Sequence, residues 1–401
     1  MDKEQILKHT LELLDYIEKE NYLGYDPYDF YLSPYAKYIP KSILFLHLQK
    51  FSPINFRPLI GIHKDMVTKV YGLMIDSYLN LYSLLHENEY LEKSKILFDR
   101  MVSAAVVNTE EELGWGRNYP FKTGGEIHDN KKPLVYLDSR LGLSIINLYD
   151  ITKDASLIPM LHRIITNILR TGRVLKNKEG YTFIGYSPDK NTRLTFNASM
   201  VAVELFIKYL DRSKQHTCII DKYDLRQISY EIINTMIHYQ EDDGSWAYGY
   251  SAKGELFAQR DFHQGFVIDS IYNIIPYIDE EPFKEEIYNT YIKGYNFLKN
   301  IQIGEKGEFY WRHPKKLPID IHNQAQGILS LSLFQNENSF ETLQKTIDYT
   351  FKHFWNKRKH CFYYQKWGCI INKISYIRWC NAWMLFALTT TLLNKDKIKT
   401  V

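Results

Sequence analysis

Six stretches of this chain share one design, a polar start followed by a long apolar run at helical spacing. They are His63 to Leu85, Tyr136 to Leu148, Thr195 to Leu210, Asp261 to Ile275, Asp320 to Leu333 and Tyr376 to Leu393. They recur every ~55 to 70 residues, the order of a two-helix unit. A helix that is apolar on nearly all sides is buried in the middle of a molecule, so the six are expected as inner helices. Between them run segments with one apolar stripe and a charged face, namely Leu91 to Val107, Ile158 to Leu169, Tyr223 to His238, Phe283 to Leu298 and Phe340 to Phe354. With Lys3 to Glu20 placed before the first, these read as outer helices. Long strands of alternating pattern are absent, and no Pro/Gly/Ser-rich linker divides the chain. The expectation is therefore an all-α chain, an (α/α)6 toroid of about twelve alternating outer and inner helices, forming one domain over residues 1–401.

Two features stand outside the repeat. The stretch from Tyr22 to Pro58 opens with Tyr25-Asp26-Pro27-Tyr28-Asp29, continues through Pro34, Pro40 and Pro53, and is longer than ordinary connections. It reads as irregular and as a candidate cover for one mouth of the toroid. Aromatic content is the other, because 32 Tyr, 21 Phe and 7 Trp make up 15% of the chain. Much of it falls in short loops after the outer helices, such as Gly114-Trp115-Gly116, Gly244-Ser245-Trp246-Ala247-Tyr248 and Gly307-Glu308-Phe309-Tyr310-Trp311. Either those rings are architectural, or they line one mouth and stack on a ligand. The expectation is that Trp115, Trp246, Tyr248 and Trp311 line the mouth.

Charge narrows the function classes. With 50 Lys and Arg against 47 Asp and Glu, the net charge of +3 gives no default nucleic-acid groove or polybasic membrane surface. The N-terminal residues lack the pattern of a secretory leader, and no window approaches the ~18 apolar residues of a membrane span, so a cytoplasmic location without a transmembrane segment is expected. Cys218, Cys361, Cys369 and Cys380 show no metal or disulfide spacing and read as reduced thiols. Phosphate-binding glycine loops are absent as well, and neither a cofactor nor a resident metal is expected.

The starts of parallel inner helices bring unpaired N–H groups and positive dipole ends together, which makes that end the default site. It would receive Asp138 and Arg140, Asn197, Asp261 with His263 and Gln264, Asp320 with His322, Asn323 and Gln324, and Arg378 with Trp379. For the Asp and Asn residues the plain alternative is helix capping. Arg140 and Arg378 oppose the dipole and so require a partner, either a neighbouring aspartate or an anionic ligand held by the guanidinium fork. His263 and His322 each follow an aspartate by two residues, matching positions suited to proton transfer near neutral pH.

Several of these residues sit in motifs that resemble known families. Gln240-Glu241-Asp242-Asp243-Gly244-Ser245-Trp246 resembles the Q-x-x-D-G-x-W repeat of terpenoid cyclases and protein prenyltransferases, with Gln302, Gly307 and Phe309 as a degraded copy. The Asp-rich signatures D-D-x-x-D and D-x-D-D of terpene chemistry do not occur. Arg378-Trp379-Cys380-Asn381-Ala382-Trp383 is similar to the R-G-Q-A-W helix start of unsaturated glucuronyl hydrolases, with Asn381 in place of Gln and Cys380 in place of Gly. His263-Gln264-Gly265 followed by Asp269 is similar to their H-Q-G-x-x-D pattern. The Tyr-Asp-Pro-Tyr-Asp opening resembles that of proteins from bacterial surface-polysaccharide gene sets.

These resemblances imply the six-hairpin glycosidase superfamily and a carbohydrate-active enzyme working by general acid/base chemistry on a sugar or oligosaccharide, acidic or lipid-linked. Hydrolysis, elimination and epimerisation are all open. Uronide hydrolysis would use Asp138 or Asp261 as acid/base with Arg378 on the carboxylate. Epimerisation would lean on His263 and His322. Substrate contacts would fall to Arg140, Asn197, Gln264, Asn323, Arg378 and Trp379, with Trp115, Trp246, Tyr248 and Trp311 stacking on sugar rings. The alternatives are a cyclase-like enzyme on an isoprenoid and a non-catalytic toroid that binds a glycan or a partner.

Overall fold

The structure is a computed structural model of the 401-residue chain, and it describes residues 1–38, 43–123, 126–333 and 337–398. Among them the helices are α1 (Lys3–Lys19), α2 (Ile43–Phe51), α3 (Lys69–Leu85), α4 (Asn88–Ser103), α5 (Val135–Thr152), α6 (Leu157–Gly172) and α7 (Phe196–Arg212). They continue with α8 (Leu225–His238), α9 (His263–Ile274), α10 (Phe283–Phe297), α11 (Ile321–Leu333), α12 (Glu337–Phe354) and α13 (Trp383–Ile398). The chain divides into two compact units. One comprises Met1–Leu97, Arg117–Lys131 and Ile303–Val401, and the other Phe98–Gly116 and Lys132–Gln302.

In the first unit α13 packs against both α3 and α11, with α1 lying on α13 and α12 on α11. The apolar runs explain this order, because Leu73, Met74, Ile328, Leu331, Leu385 and Leu388 are all inaccessible to solvent. α1 shows the outer pattern, burying Ile6, Leu13 and Ile17 on one stripe, and Asp2 caps it by accepting from the Gln5 amide at 2.8 Å. The stretch from Tyr22 to Pro58 is less irregular than its prolines suggest, since it contains α2 and a 3-10 turn at Asp29–Leu32. A π-helical turn, Ile377–Ala382, leads into α13 and carries Arg378 and Trp379.

The second unit sets α7 between α5 and α9, with α6 on α5, α8 on α7 and α10 on α9. α5 is buried from Val135 through Ile146 and α7 from Phe196 through Ile207, as expected of helices apolar all round.

One device recurs five times and fixes the aromatic loops. A side chain in the first turns of a buried helix accepts a hydrogen bond from the backbone amide of the loop before it. Trp115 N donates to Asp138 Oδ1 at 2.6 Å, Ile184 N to Ser199 Oγ at 3.1 Å, and Trp246 N to Gln264 Oε1 at 2.8 Å. Phe309 N donates to Gln324 Oε1, and Phe362 N to Asn381 Oδ1 at 2.9 Å. Buried loop amides need such partners, so part of the polarity at the helix starts is structural.

Candidate active site

The expected residues fall into two groups, one in each unit. In the second unit His263 opens α9. Its Nδ1 lies 2.6 Å from Asp261 Oδ1, which also accepts from the His263 amide at 3.1 Å. Asp261 is buried, and its second oxygen accepts from Gln259 Nε2. An ionised carboxylate only accepts, so against it Nδ1 is the donor and Nε2 is the ring nitrogen left to face a ligand. The His263 side chain is 21% exposed. Around it lie Phe262, stacked at 4.1 Å between ring centroids, and the edges of Tyr248 at 4.7 Å and Phe266 at 5.6 Å. Tyr136 meets Phe266 at 5.4 Å. The half-exposed Tyr248 hangs from a short sheet in which Gly249 pairs with Thr195, and its carbonyl accepts from the Phe196 amide at 3.3 Å. That brings the start of α7 beside the dyad. Asn197 Oδ1 and Thr195 Oγ1 are both buried there and have no hydrogen-bond partner among the described residues. Two unsatisfied buried acceptors at one helix start are costly unless a ligand donates to them.

Other expected members of this group have different work. Asp138 is inaccessible, held by the Trp115 amide and by Asn167 Nδ2 at 2.7 Å. Burial drives its carboxyl well above the usual range. It occupies the loop-holding position that Gln264, Gln324 and Asn381 fill with amides, so its first role is structural. Gln264 is spent in the same way, with Nε2 donating back to the Trp246 carbonyl at 2.6 Å. Arg140 is buried on α5.

Trp115 and Trp246 do not line a mouth. Both are fully buried, and each indole Nε1 donates to a helix carbonyl, Met101 at 2.7 Å and Met236 at 2.8 Å. The Q-x-x-D-G-x-W segment is a turn built for this purpose. Gln240 donates to the Gly244 and Thr290 carbonyls, Asp243 accepts from the Ser245 amide, and Gly244 has φ +87° with the Lys293 carbonyl 2.3 Å from where a Cβ would stand. Gly307, in the degraded copy, repeats the arrangement at φ +89° against the Lys345 carbonyl. The motif thus gives an isoprenoid chemistry no support.

In the first unit the polar groups form two buried clusters. Arg378 closes a fork on Asp26, with Nε to Oδ2 at 2.5 Å and Nη2 to Oδ1 at 2.9 Å, and Tyr119 donates to Asp26 Oδ1 at 2.7 Å. Beside it Arg57 Nε reaches both oxygens of Asp29, its Nη2 donates to the Asp26 carbonyl at 2.8 Å, and Gln49 donates to Asp29 Oδ1. Burial would raise Asp26, but the Arg378 charge and its hydrogen bonds outweigh that and hold it below the usual value. Burial wins at Asp29, pushed up to about 6 against the pull of Arg57. Arg378 therefore has a carboxylate within the chain, the aspartate partner that was one of its two expected alternatives.

The second cluster centres on Asp320. It accepts from Trp379 Nε1 at 2.8 Å, Gln365 Nε2 at 2.6 Å and the His322 amide at 2.9 Å, and burial raises its carboxyl. His322 lies inside, stacked on Trp379 at 4.2 Å and near Trp383 at 4.8 Å. Only 1% exposed, it is poorly placed for the proton transfer expected of it. Asn323 donates to the Tyr310 and Trp311 carbonyls at 2.9 Å each, which fixes the loop carrying the half-buried Trp311. The residues missed from sequence are Asp26, Asp29, Arg57 and Tyr119. The Tyr-Asp-Pro-Tyr-Asp opening was their one signal, since two acids flanking a proline need cations once buried. Among the described residues no three His, Cys, Asp or Glu side chains group as metal ligands would, the four cysteines are free, and no helix is long and apolar enough to cross a membrane.

No family model matches the chain, and no curated protein matches it in sequence. Solved structures do match. A sugar epimerase from a ruminal bacterium is similar with a TM-score of 0.64 at 12% identity, over 84% of this chain and 90% of that one. A glycosyl hydrolase of family 88 from Bacteroides vulgatus is similar over 99% of both chains, at 10% identity and a TM-score of 0.60. The chain shares the (α/α)6 toroid fold of these proteins. A possible family 105 member from Salmonella enterica is also similar, at 10% identity over 98% of this chain and 95% of that one, with a TM-score of 0.63.

Proposed function

We propose that this chain is a carbohydrate-active enzyme that moves a proton on a sugar or oligosaccharide, with His263 Nε2 as the general acid/base and Asp261 holding the ring. The observation that carries the reading is the dyad itself, a partly exposed imidazole whose Nδ1 is tied to a buried carboxylate beside aromatic rings and two unsatisfied acceptors. Nucleophile-and-base logic asks for a base oriented by a third group, and Asp261 supplies that. The rings of Tyr248 and Phe262 offer apolar faces to a pyranose, and Asn197 and Thr195 offer acceptors to its hydroxyls. The sugar epimerase and the glycosyl hydrolases that share the fold support a sugar as the ligand.

Among the three reactions, proton transfer at carbon, as in epimerisation or elimination, fits better than hydrolysis by a carboxylate pair. Hydrolysis needs two available carboxyl groups ~5 to 9.5 Å apart, and Asp138 is committed to its loop. The test is incubation with neutral and acidic oligosaccharides in D2O, followed by proton NMR. Loss of a ring-proton signal with a new epimer or an unsaturated product is expected for the native chain and not for His263→Asn. Cleavage without deuterium at carbon would favour hydrolysis, and conversion that survives His263→Asn would sink the assignment.

A further inference from the structure

The near-neutral total charge conceals a strong local asymmetry. Between Asp29 and Asp65 the chain has five basic residues and no acid, between Glu308 and Asp320 three and none, and between Asp348 and Asp396 eight and none. All three stretches belong to the first unit, and Phe51 at the end of α2 draws them together. Its ring meets Trp311 edge-on at 6.1 Å and Trp367 at 6.0 Å, and Asn372 Nδ2 donates to the neighbouring Ser52 carbonyl at 2.9 Å. The Trp311 amide donates to the Lys316 carbonyl at 3.2 Å, which folds the Arg312–Lys315 turn back beside it.

The surface so formed exposes what a soluble protein normally hides. Ile370 is 67% exposed and Ile54 61%, and Trp367 and Leu317 are also open. Exposed lysines stand among them, namely Lys315, Lys316 and Lys373. Apolar tips rimmed by charge of one sign mark an interaction site. Apart from Trp367 the open tips, Ile54, Leu317 and Ile370, are branched aliphatics, which offer no ring face or hydrogen bond to a glycan and no stacking to a nucleic acid. They suit the acyl boundary of a bilayer, where Trp sits at headgroup depth and lysines meet lipid phosphates.

We propose that this face docks on an anionic bilayer surface, with Ile54, Leu317, Trp367 and Ile370 inserted and the three lysines on headgroups. Attachment by two signals, apolar insertion and basic attraction, is what holds a protein on a membrane without a span. The docking is independent of the chemistry at His263.

Co-sedimentation of the full chain with phosphatidylcholine vesicles, with and without phosphatidylglycerol, tests it. Binding is expected only with phosphatidylglycerol and should weaken as salt screens the lysines. Ile54→Ser with Ile370→Ser should lower partitioning at least about tenfold, as expected for removing two buried aliphatic side chains. Lys315→Gln and Lys316→Gln should each lower it about fivefold. All four side chains are exposed, and the lysine variants keep the test open if the serine pair melts early. The proposal fails if phosphatidylglycerol vesicles do not pellet the chain. It also fails if the serine pair binds vesicles and soluble dextran sulfate as tightly as the native chain, which would mean polyanion binding only. Lipid-free self-association that the serine pair abolishes would assign the face to a second copy and overturn it too.

Discussion

Arg378 shows how a buried cation selects its partner. A guanidinium placed at the start of a buried helix gains nothing from the helix dipole and must be neutralised. Asp26 does this with a two-point fork, aided by Tyr119. Removing one member of such a pair leaves the other charge buried alone, so Arg378→Ala should destabilise the fold by about 3–5 kcal/mol, read as a fall in denaturation midpoint. An unchanged midpoint would show that the fork contributes little and return Arg378 to the list of ligand groups. The pH dependence has a definite sign. Asp26 is held below its unfolded value, so its contribution is present above the ordinary aspartate range and is lost as pH falls through the folded value. Asp26→Asn should remove that acid-side loss. His263 differs in being partly exposed, its ring held by Asp261 and by the surrounding aromatic rings. His263→Asn should leave the melting temperature nearly unchanged while reducing turnover on any accepted sugar by ~10²- to 10⁴-fold. A variant that loses stability and activity together would argue for a structural imidazole.

At the scale of elements, the hold between buried helix and aromatic loop separates Asp138 from its apparent role as a catalyst. Its counterparts Gln264, Gln324 and Asn381 do the same work without charge, so the position needs an acceptor and no ionisation. Asp138→Asn keeps Oδ1 for the Trp115 amide at the expense of the Asn167 Nδ2 contact and should still fold, whereas Asp138→Ala orphans that amide at a cost of about 1–3 kcal/mol. Because burial raises the Asp138 carboxyl, the native chain should lose stability as pH climbs from the ordinary value of 3.8 toward the folded one. Melting curves across pH should therefore be flatter for Asp138→Asn than for the native chain. Activity lost in Asp138→Asn with stability intact would reinstate it as a catalytic acid. Gly244 tests the same loops from the other side. Alanine there would adopt a positive φ and place Cβ against the Lys293 carbonyl, costing about 2 kcal/mol or more.

Across the whole chain, what was legible in the sequence was what periodicity encodes. The buried helices are apolar on every side and the outer ones on a single stripe, and α1, α5, α7 and α11 begin within a residue or two of where that pattern starts. α2 was hidden because it is only nine residues long and lies between Pro40 and Pro53, too short to display a helical period. The roles of the polar helix starts were illegible for a different reason. Asp138 and Asp261 look alike in sequence, and only packing decides that one holds a loop amide while the other orients an imidazole. The tryptophans follow the same logic, since a Trp in a Gly-rich loop can stack on a ligand or plug a helix pair. Of the seven, Trp115, Trp246 and Trp383 are at most 1% exposed, and Trp355 and Trp379 are also buried. Only Trp367 is open, with Trp311 half-covered. Intrinsic emission should thus be blue-shifted, and iodide, which reaches only exposed indoles, should quench a minor part of it. Trp367→Phe should remove most of the quenchable fraction without shifting the rest. If iodide instead quenches most of the native emission, or Trp367→Phe leaves the quenchable fraction unchanged, the burial of the Gly-rich-loop tryptophans is wrong and the aromatic excess returns to being a ligand surface.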